Sequence, residues 1–348
     1  VAGRRPRPPG PAPSEGPVSD FFGRPLRDLR ISVTDRCNFR CGYCVPPAGP
    51  VRFRPQDEIL SFEEIERVAR LFVELGVRKI RLTGGEPLLR HRLDELVGRL
   101  VVLAGLEDVG LTTNGFLLAA QAARLRRAGL RRLTVSLDAL EDATFRRLAG
   151  VDVPVSTVLR GIDAAIAAGF GPIKLNTVVL RGANEDQVLP LARFARERGL
   201  TIRFIEYMDV GPANGWRRED VVSAAEILAR ISGEWPVGPA FRGARGEVAE
   251  RHRYLDGAGE LGVIASVTRP FCAGCSRVRL TADGRLFTCL FGASAVDLRS
   301  LLRGGARDDE LAGAIVSAWR RRNDRYSELR AALPPSDAPR EAMTIIGG

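Results

Sequence analysis

The chain has 348 residues, 45% of them hydrophobic, enough to fill a globular core in one large domain or two. Its longest apolar runs, such as "LFVEL" and "LVVLAGL", fall well short of the roughly 18 to 20 consecutive apolar residues of a membrane-crossing helix. Lys and Arg number 52 against 42 Asp and Glu, and the formal charge of +10 favours a polyanionic partner. Aromatics make up only 6% and no RNP, KH or zinc-finger pattern occurs, so a small phosphorylated ligand is expected rather than a nucleic acid.

Residues 1–18 are basic and rich in Pro and Gly, without the apolar continuation of a secretory signal, and read as a disordered leader. From Leu29 onward, β-branched runs alternate with amphipathic stretches. "LRISVT", "RKIRLTGG", "DVGLTTNG", "RRLTVSLD", "IKLNTVVL" and "TIRFIEYM" are the strand candidates. Between the first two, "SFEEIERVARLFVELG" places Ile65, Val68, Phe72 and Leu75 on one helical face, with Ser61 and Glu64 spaced as a capping box and Gly76 as the stop. Comparable segments end at Gly129, Gly169 and Gly199. The pattern predicts an α/β fold, a βα unit repeated about six times over residues 19–208 as a partial (β/α) barrel of parallel strands with right-handed crossovers.

Chemistry in such a fold collects at the carboxyl ends of the strands. There stand Thr83–Pro87, Thr112–Gly115, Ser136–Asp138, Asn176–Thr177 and Glu206–Met208. Taken singly, each is ordinary turn chemistry; five on one side of one sheet point to a site. After Met208 the βα rhythm is expected to stop, with "DVGPANGW" as a linker into a smaller module, residues 209–348, that contains a basic hairpin-like segment "RVRLTADGRLFTCL" and closes the barrel opening.

Six cysteines fall into two sets of three more than 220 residues apart, which suits metal or cluster binding in a reducing cytoplasm better than a disulfide framework. Cys37, Cys41 and Cys44 are spaced C-x3-C-x2-C directly after the first strand candidate. A structural zinc asks for four ligands, so three thiolates leave one coordination position for something else; a 4Fe-4S cluster held this way exposes one iron. Cys272, Cys275 and Cys289 again supply three thiolates, C-x2-C-x13-C, and neither His91 nor His252 lies near them in sequence, which favours a second cluster over zinc.

"CNFRCGYC" resembles the cysteine signature of radical S-adenosylmethionine enzymes, and "TGGEP" resembles the Gly-Gly-Glu-Pro segment with which that family holds the methionyl amino group. The second cysteine set, the "RVR" beside it and the terminal Gly347–Gly348 resemble, within that family, the GTP 3′,8-cyclases, over residues from about Gly23 to Gly348. The resemblance implies two 4Fe-4S clusters, S-adenosylmethionine and GTP, and a 5′-deoxyadenosyl radical that takes a hydrogen from the GTP ribose in the first step of molybdenum cofactor biosynthesis. By the same resemblance, Cys37, Cys41 and Cys44 carry the catalytic cluster and Cys272, Cys275 and Cys289 the substrate-side one. Tyr43, Gly85, Ser136 and Met208 match S-adenosylmethionine contacts, and Arg30, Arg81, Thr112, Lys174, Arg277 and Arg279 match GTP contacts.

Arginine forks are suited to a triphosphate. The family further implies an external one-electron reductant, a homodimer, a flexible terminus that reaches into the active site, and cyclic pyranopterin monophosphate synthase as the downstream enzyme. Two other readings stand beside this one. A radical enzyme with an auxiliary cluster acting on a peptide or protein would need no triphosphate site, and a module that holds metal only for folding would have closed tetrahedral sites.

Overall fold

The structure is a computed structural model and describes residues 18–45, 53–210, 214–240, 247–292, 295–330, 332 and 341–347. The expected leader lies outside the described residues except for Val18, which packs half-buried against the core; Gly348 lies outside them as well.

All six strand candidates are strands: β1 (Asp28–Ser32), β2 (Lys79–Thr83), β3 (Asp108–Thr113), β4 (Arg132–Ser136), β5 (Lys174–Val179) and β6 (Thr201–Glu206). They are parallel and neighbour one another in chain order. The crossovers carry α1 (Phe62–Glu74), α2 (Leu93–Val101), α3 (Leu118–Arg127), the pair α4 (Asp142–Ala149) and α5 (Ser156–Ala167), and α6 (Val188–Glu197). Helix α1 begins at the expected capping box, in which the Glu64 amide donates to Ser61 Oγ and the Ser61 amide donates to the Glu64 carboxylate. Ile65, Val68 and Phe72 are buried, each contributing roughly 1.5–3 kcal/mol of hydrophobic stabilisation, and Leu75 is half-buried against them. The stops at Gly76, Gly129, Gly169 and Gly199 all adopt left-handed φ.

The βα rhythm does not stop at Met208, contrary to the expectation. Helix α7 (Ala224–Glu234), which starts on a second capping box at Ser223 and Glu226, leads through the antiparallel strands β7 (Val237–Pro239) and β8 (Glu250–Tyr254) to β9 (Glu260–Ile264), and β9 lies parallel to β6. The basic segment is a hairpin, β10 (Arg277–Leu280) and β11 (Arg285–Phe287), followed by β12 (Val296–Asp297); β10 pairs in parallel with β1. The C-terminal part therefore extends both edges of one 12-stranded sheet among the described residues. Helices α8 (Leu298–Arg303), α9 (Asp308–Arg320), α10 (Tyr326–Leu329) and α11 (Met343–Ile346) complete the described chain.

Alternation along the strands sets the two faces. Leu29, Ile31, Ile80, Leu82, Leu175, Ile202 and Phe204 are buried in the layer beneath the helices, while the intervening positions carry Arg30, Arg81, Lys174 and Arg203. Register then brings Arg279, Arg30 and Arg81 side by side on three consecutive strands. Next to Arg81 on β3 stands Gly110, where a Cβ would meet the Arg81 guanidinium at 3.3 Å; a larger residue there would crowd the cation.

Glu206, 1% exposed at the end of β6, ties these parts together. Its carboxylate accepts from the amides of Ala224, Val267 and Thr268 at 2.7–2.8 Å and from Thr268 Oγ1, so β6, the start of α7 and the segment after β9 share one anchor. Glu206→Ala leaves three amides, that of Ala224 buried, without their acceptor and is expected to cost about 2 kcal/mol of stability, read as a fall in the urea midpoint at unchanged slope.

Candidate active site

The first cysteine set sits in the loop that follows β1. Phe39, between Cys37 and Cys41, is 4% exposed and packs edge-on against Phe116 and Phe145, which nails the loop to the core. The Arg40 amide donates to the Ala149 carbonyl at 2.8 Å, and Asn114 Nδ2 donates to Asn38 Oδ1 at 2.9 Å. Tyr43 Oη donates to Asp138 Oδ2 at 2.6 Å, and the other carboxylate oxygen of Asp138 accepts from the Val178 amide at 2.9 Å. Burial pushes Asp138 up to about 6, and burial, then the Asp138 charge, raises Cys41 well above the ordinary thiol range.

The Gly84–Gly85–Glu86 segment lies against the stretch between β1 and the first cysteine. The amides of Gly85 and Glu86 donate to the carbonyls of Thr34 and Arg36 at 2.8 and 2.7 Å, and a Cβ on Gly85 would stand 2.3 Å from the Arg36 oxygen. Only glycine allows that approach. Glu86 turns inward, accepting from the Leu88 amide, Thr113 Oγ1 and the Asn114 amide; burial lifts its carboxyl to about 7.

Cys272 and Cys275 precede β10 and Cys289 follows β11, so the second set lies at the amino end of the wall whose carboxyl end carries the first. All six thiols are uncrosslinked and line one cavity of about 280 Å³ through the barrel. Burial pushes Cys289 up to about 11, whereas Arg277 and Arg322 overcome the same upward push at Cys275 and bring it down to about 6. Among the described residues no three His, Cys, Asp or Glu side chains close round one ion-sized point; cluster thiolates each bind a different iron.

Tyr43, Gly85, Ser136, Met208, Arg30, Arg81, Thr112, Arg277 and Arg279 line this cavity with the cysteines. Lys174 does not. It lines a second cavity of about 550 Å³ at the amino ends of the strands, with Lys79, Arg132 and Arg251, and the two cavities share Arg30, Arg81, Arg203 and Arg277. Mutual repulsion among these cations adds to burial: Lys174 falls to about 7, Arg279 to about 9 and Arg203 to about 10, and Arg30 is held well below the ordinary arginine range. Arg203 is the residue the sequence reading passed over. It occupies on β6 the inward alternation that Arg30 and Arg81 occupy on β1 and β2, and that parity was available in "TIRFIE". Asp138 and Asn176, quoted earlier only as strand-end polar residues, also line the cavity.

At the far end of the chain, the Gly347 carbonyl accepts from Arg279 Nη1 at 2.6 Å, with Ile346 buried and Met343 on the cavity wall. The tail thus reaches the site on described residues.

The Radical SAM superfamily model matches residues 31–195 and Molybdenum Cofactor Synthesis C matches residues 200–328. A GTP 3′,8-cyclase of Acidothermus cellulolyticus is 59% identical over 332 residues, spanning 93% of this chain and 91% of the relative. The chain belongs to the GTP 3′,8-cyclase family. Members from Xanthomonas axonopodis pv. citri and Staphylococcus saprophyticus are 51% and 44% identical, each over 95% of this chain and 99% of its own length. As a GTP 3′,8-cyclase family member it is a radical S-adenosylmethionine lyase of molybdenum cofactor biosynthesis, and S-adenosylmethionine and at least one 4Fe-4S cluster belong to it. Among solved structures, Streptococcus suis SuiB bound to S-adenosylmethionine matches with a TM-score of 0.59 at 15% identity, over 92% of this chain and 77% of SuiB. Methylornithine synthase (PylB) matches at 0.52 and 18%, over 90% and 88%. At these identities the likeness is one of fold alone.

In this cyclase-family chain, Gly85→Ala would drive a methyl group into the backbone of Arg36, whose carbonyl carbon lies 2.5 Å from the ideal Cβ position. The substitution is expected to displace the first cysteine loop and to lower the iron retained by a chain whose remaining thiols are those of Cys37, Cys41 and Cys44. Iron analysis after anaerobic reconstitution checks it, with Cys272, Cys275 and Cys289 removed so that only the first set is counted.

Proposed function

We propose that the protein performs its family's cyclisation of GTP by holding the nucleotide between two 4Fe-4S clusters. Cys37, Cys41 and Cys44 hold the cluster that takes S-adenosylmethionine, and Cys272, Cys275 and Cys289 hold the one that faces GTP. The observation that carries the reading is that both cysteine sets face one cavity whose inner wall is lined by arginines with lowered proton affinity. The residues fit these groups: all six thiols are free, and Asn176 Oδ1 and Arg277 Nε are buried with no hydrogen-bond partner among the described residues, as expected of groups that await a ligand.

When bound, S-adenosylmethionine and its cluster supply the carbon-centred radical chemistry of the family. The chain's own part is placement. Tyr43, Gly85, Ser136 and Met208 border the space for S-adenosylmethionine; the Met208 carbonyl is fixed by Asn214 Nδ2 at 2.8 Å. Arg30, Arg81, Arg277 and Arg279 and Thr112 face GTP, with Arg203 added to the set and Lys174 assigned to the phosphate end at the mouth of the second cavity. Cations crowded by register are relieved when a triphosphate arrives, so binding and orientation come from the same residues. An external one-electron reductant, a homodimer and delivery of product to cyclic pyranopterin monophosphate synthase belong to the same proposal by family analogy.

Anaerobic reconstitution with iron and sulfide, followed by reductant, S-adenosylmethionine and GTP, should yield a product isomeric in mass with GTP together with 5′-deoxyadenosine. Cys272→Ala should still cleave S-adenosylmethionine but form no cyclised nucleotide; normal cyclisation would defeat the second-cluster assignment. A pH effect follows from Lys174. Unliganded, it loses its proton above about pH 7, and an anion favours the protonated form, so GTP binding above that pH takes up a proton. Affinity is expected to fall up to about tenfold per pH unit as pH rises from 7 to about 9, where Arg279 begins to titrate as well, and the Lys174→Met variant should lose that slope over the same range in calorimetric titrations.

A further inference from the structure

Three buried charges, of which Arg322 also lines the cavity, meet where the first described residues pass beneath the second cysteine set. Asp20 is 7% exposed, Arg24 3% and Arg322 4%. Asp20 Oδ2 accepts from Arg24 Nε at 2.5 Å and from Arg322 Nη1 at 3.2 Å, while its Oδ1 accepts from the amides of Phe22 and Arg24. Each guanidinium has a second destination. Arg24 Nη1 donates to the Cys272 carbonyl at 2.9 Å and to the Asp324 carbonyl at 2.8 Å, and Arg322 Nη1 donates to the Cys275 carbonyl at 2.7 Å.

A network whose sole task was to fasten the N-terminal segment would close its donors. This one leaves Arg24 Nη2 and Arg322 Nε buried with no hydrogen-bond partner among the described residues, an arrangement that costs stability. Two guanidiniums share one carboxylate oxygen. Asp324, the next acid, stands 3.6 Å from Arg322 Nε and is engaged by Thr288 Oγ1 at 2.6 Å. The Arg322 plane is further fixed by the Trp319 ring 4.5 Å away, and Trp319 Nε1 donates to the Arg24 carbonyl at 3.1 Å.

We propose that Arg24 and Arg322, joined through Asp20, are positioning residues for the second cluster: they hold the backbone of Cys272 and Cys275 at a set spacing and place the Arg322 guanidinium beside Cys275. The inference rests on the second-cluster reading. Backbone held by rigid forks keeps the two sulfurs at the separation a cage requires, which slows loss of iron. Positive charge beside a cluster favours its reduced form and so raises its potential.

The test uses the full-length chain reconstituted anaerobically, as wild type, Arg322→Gln, Arg24→Gln, Arg322→Lys and Cys272→Ala, with far-UV circular dichroism as the folding control. Iron release to a chelator and a potentiometric titration followed by electron paramagnetic resonance are recorded; iron present in wild type and missing in Cys272→Ala defines the second set. Arg322→Gln and Arg24→Gln should release second-set iron at least about tenfold faster, with first-set iron unchanged, and the second-set signal should move to lower potential. Arg322→Lys, which keeps the charge without the fork, should release iron faster at near wild-type potential. Wild-type release and potential in both glutamine variants overturn the proposal. Should Arg322→Gln fail to fold, wild-type release in Arg322→Lys overturns the positioning role. If Cys272→Ala retains all the iron of wild type, the second-cluster reading itself fails and takes this proposal with it.

Discussion

Like charges held shoulder to shoulder by strand register are the constraint from which the rest of the structure follows. In a parallel sheet the inward residues of neighbouring strands cannot move apart without breaking the ladder, so Arg279, Arg30 and Arg81 repel one another at fixed positions. The outer layer of Leu, Ile and Val beneath the helices offsets that repulsion and keeps the sheet intact. What results is an interior prepared for negative charge before any ligand enters, so little reorganisation accompanies binding.

The two cysteine sets are built on different supports. The first is held by the sheet itself: β2 through Gly85 and Glu86, β3 through Asn114, the segment after β4 through Asp138, and the end of α4 through Ala149. The second is held by segments distant in sequence, with the chain before β1 and the chain after α9 both reaching its carbonyls. One cysteine set on the barrel loop and one on the added edge strands meet across a single cavity.

Much of this was legible in the residues because it is local. Alternation in "LRISVT" and "TIRFIEYM", the capping box at Ser61 and Glu64 and the glycine stops are decided within a few residues of chain, and all six core strands and the first helix followed from them. The cysteine spacing was equally local. Non-local pairing was not. That β9 returns to run beside β6, after a detour through an antiparallel pair, depends on contacts between segments far apart. Arg203 was missed for a different reason: one arginine among 52 basic residues carries no signal until strand parity is used to ask which way it faces. Lys174 stands on an inward position of β5, but sequence could not say that it opens toward the neighbouring cavity.

The supports of the first cysteine loop also carry a consequence for how the protein is made. The loop is encoded before the groups that enclose it, Asn114, Asp138 and Ala149, which follow much later in the chain. During synthesis from the N-terminus the three thiols therefore leave the ribosome long before their shelter exists. Exposure to dioxygen at that stage attacks bare sulfur, and a culture grown in air can yield damaged chains that no later repair with iron in a glove box restores.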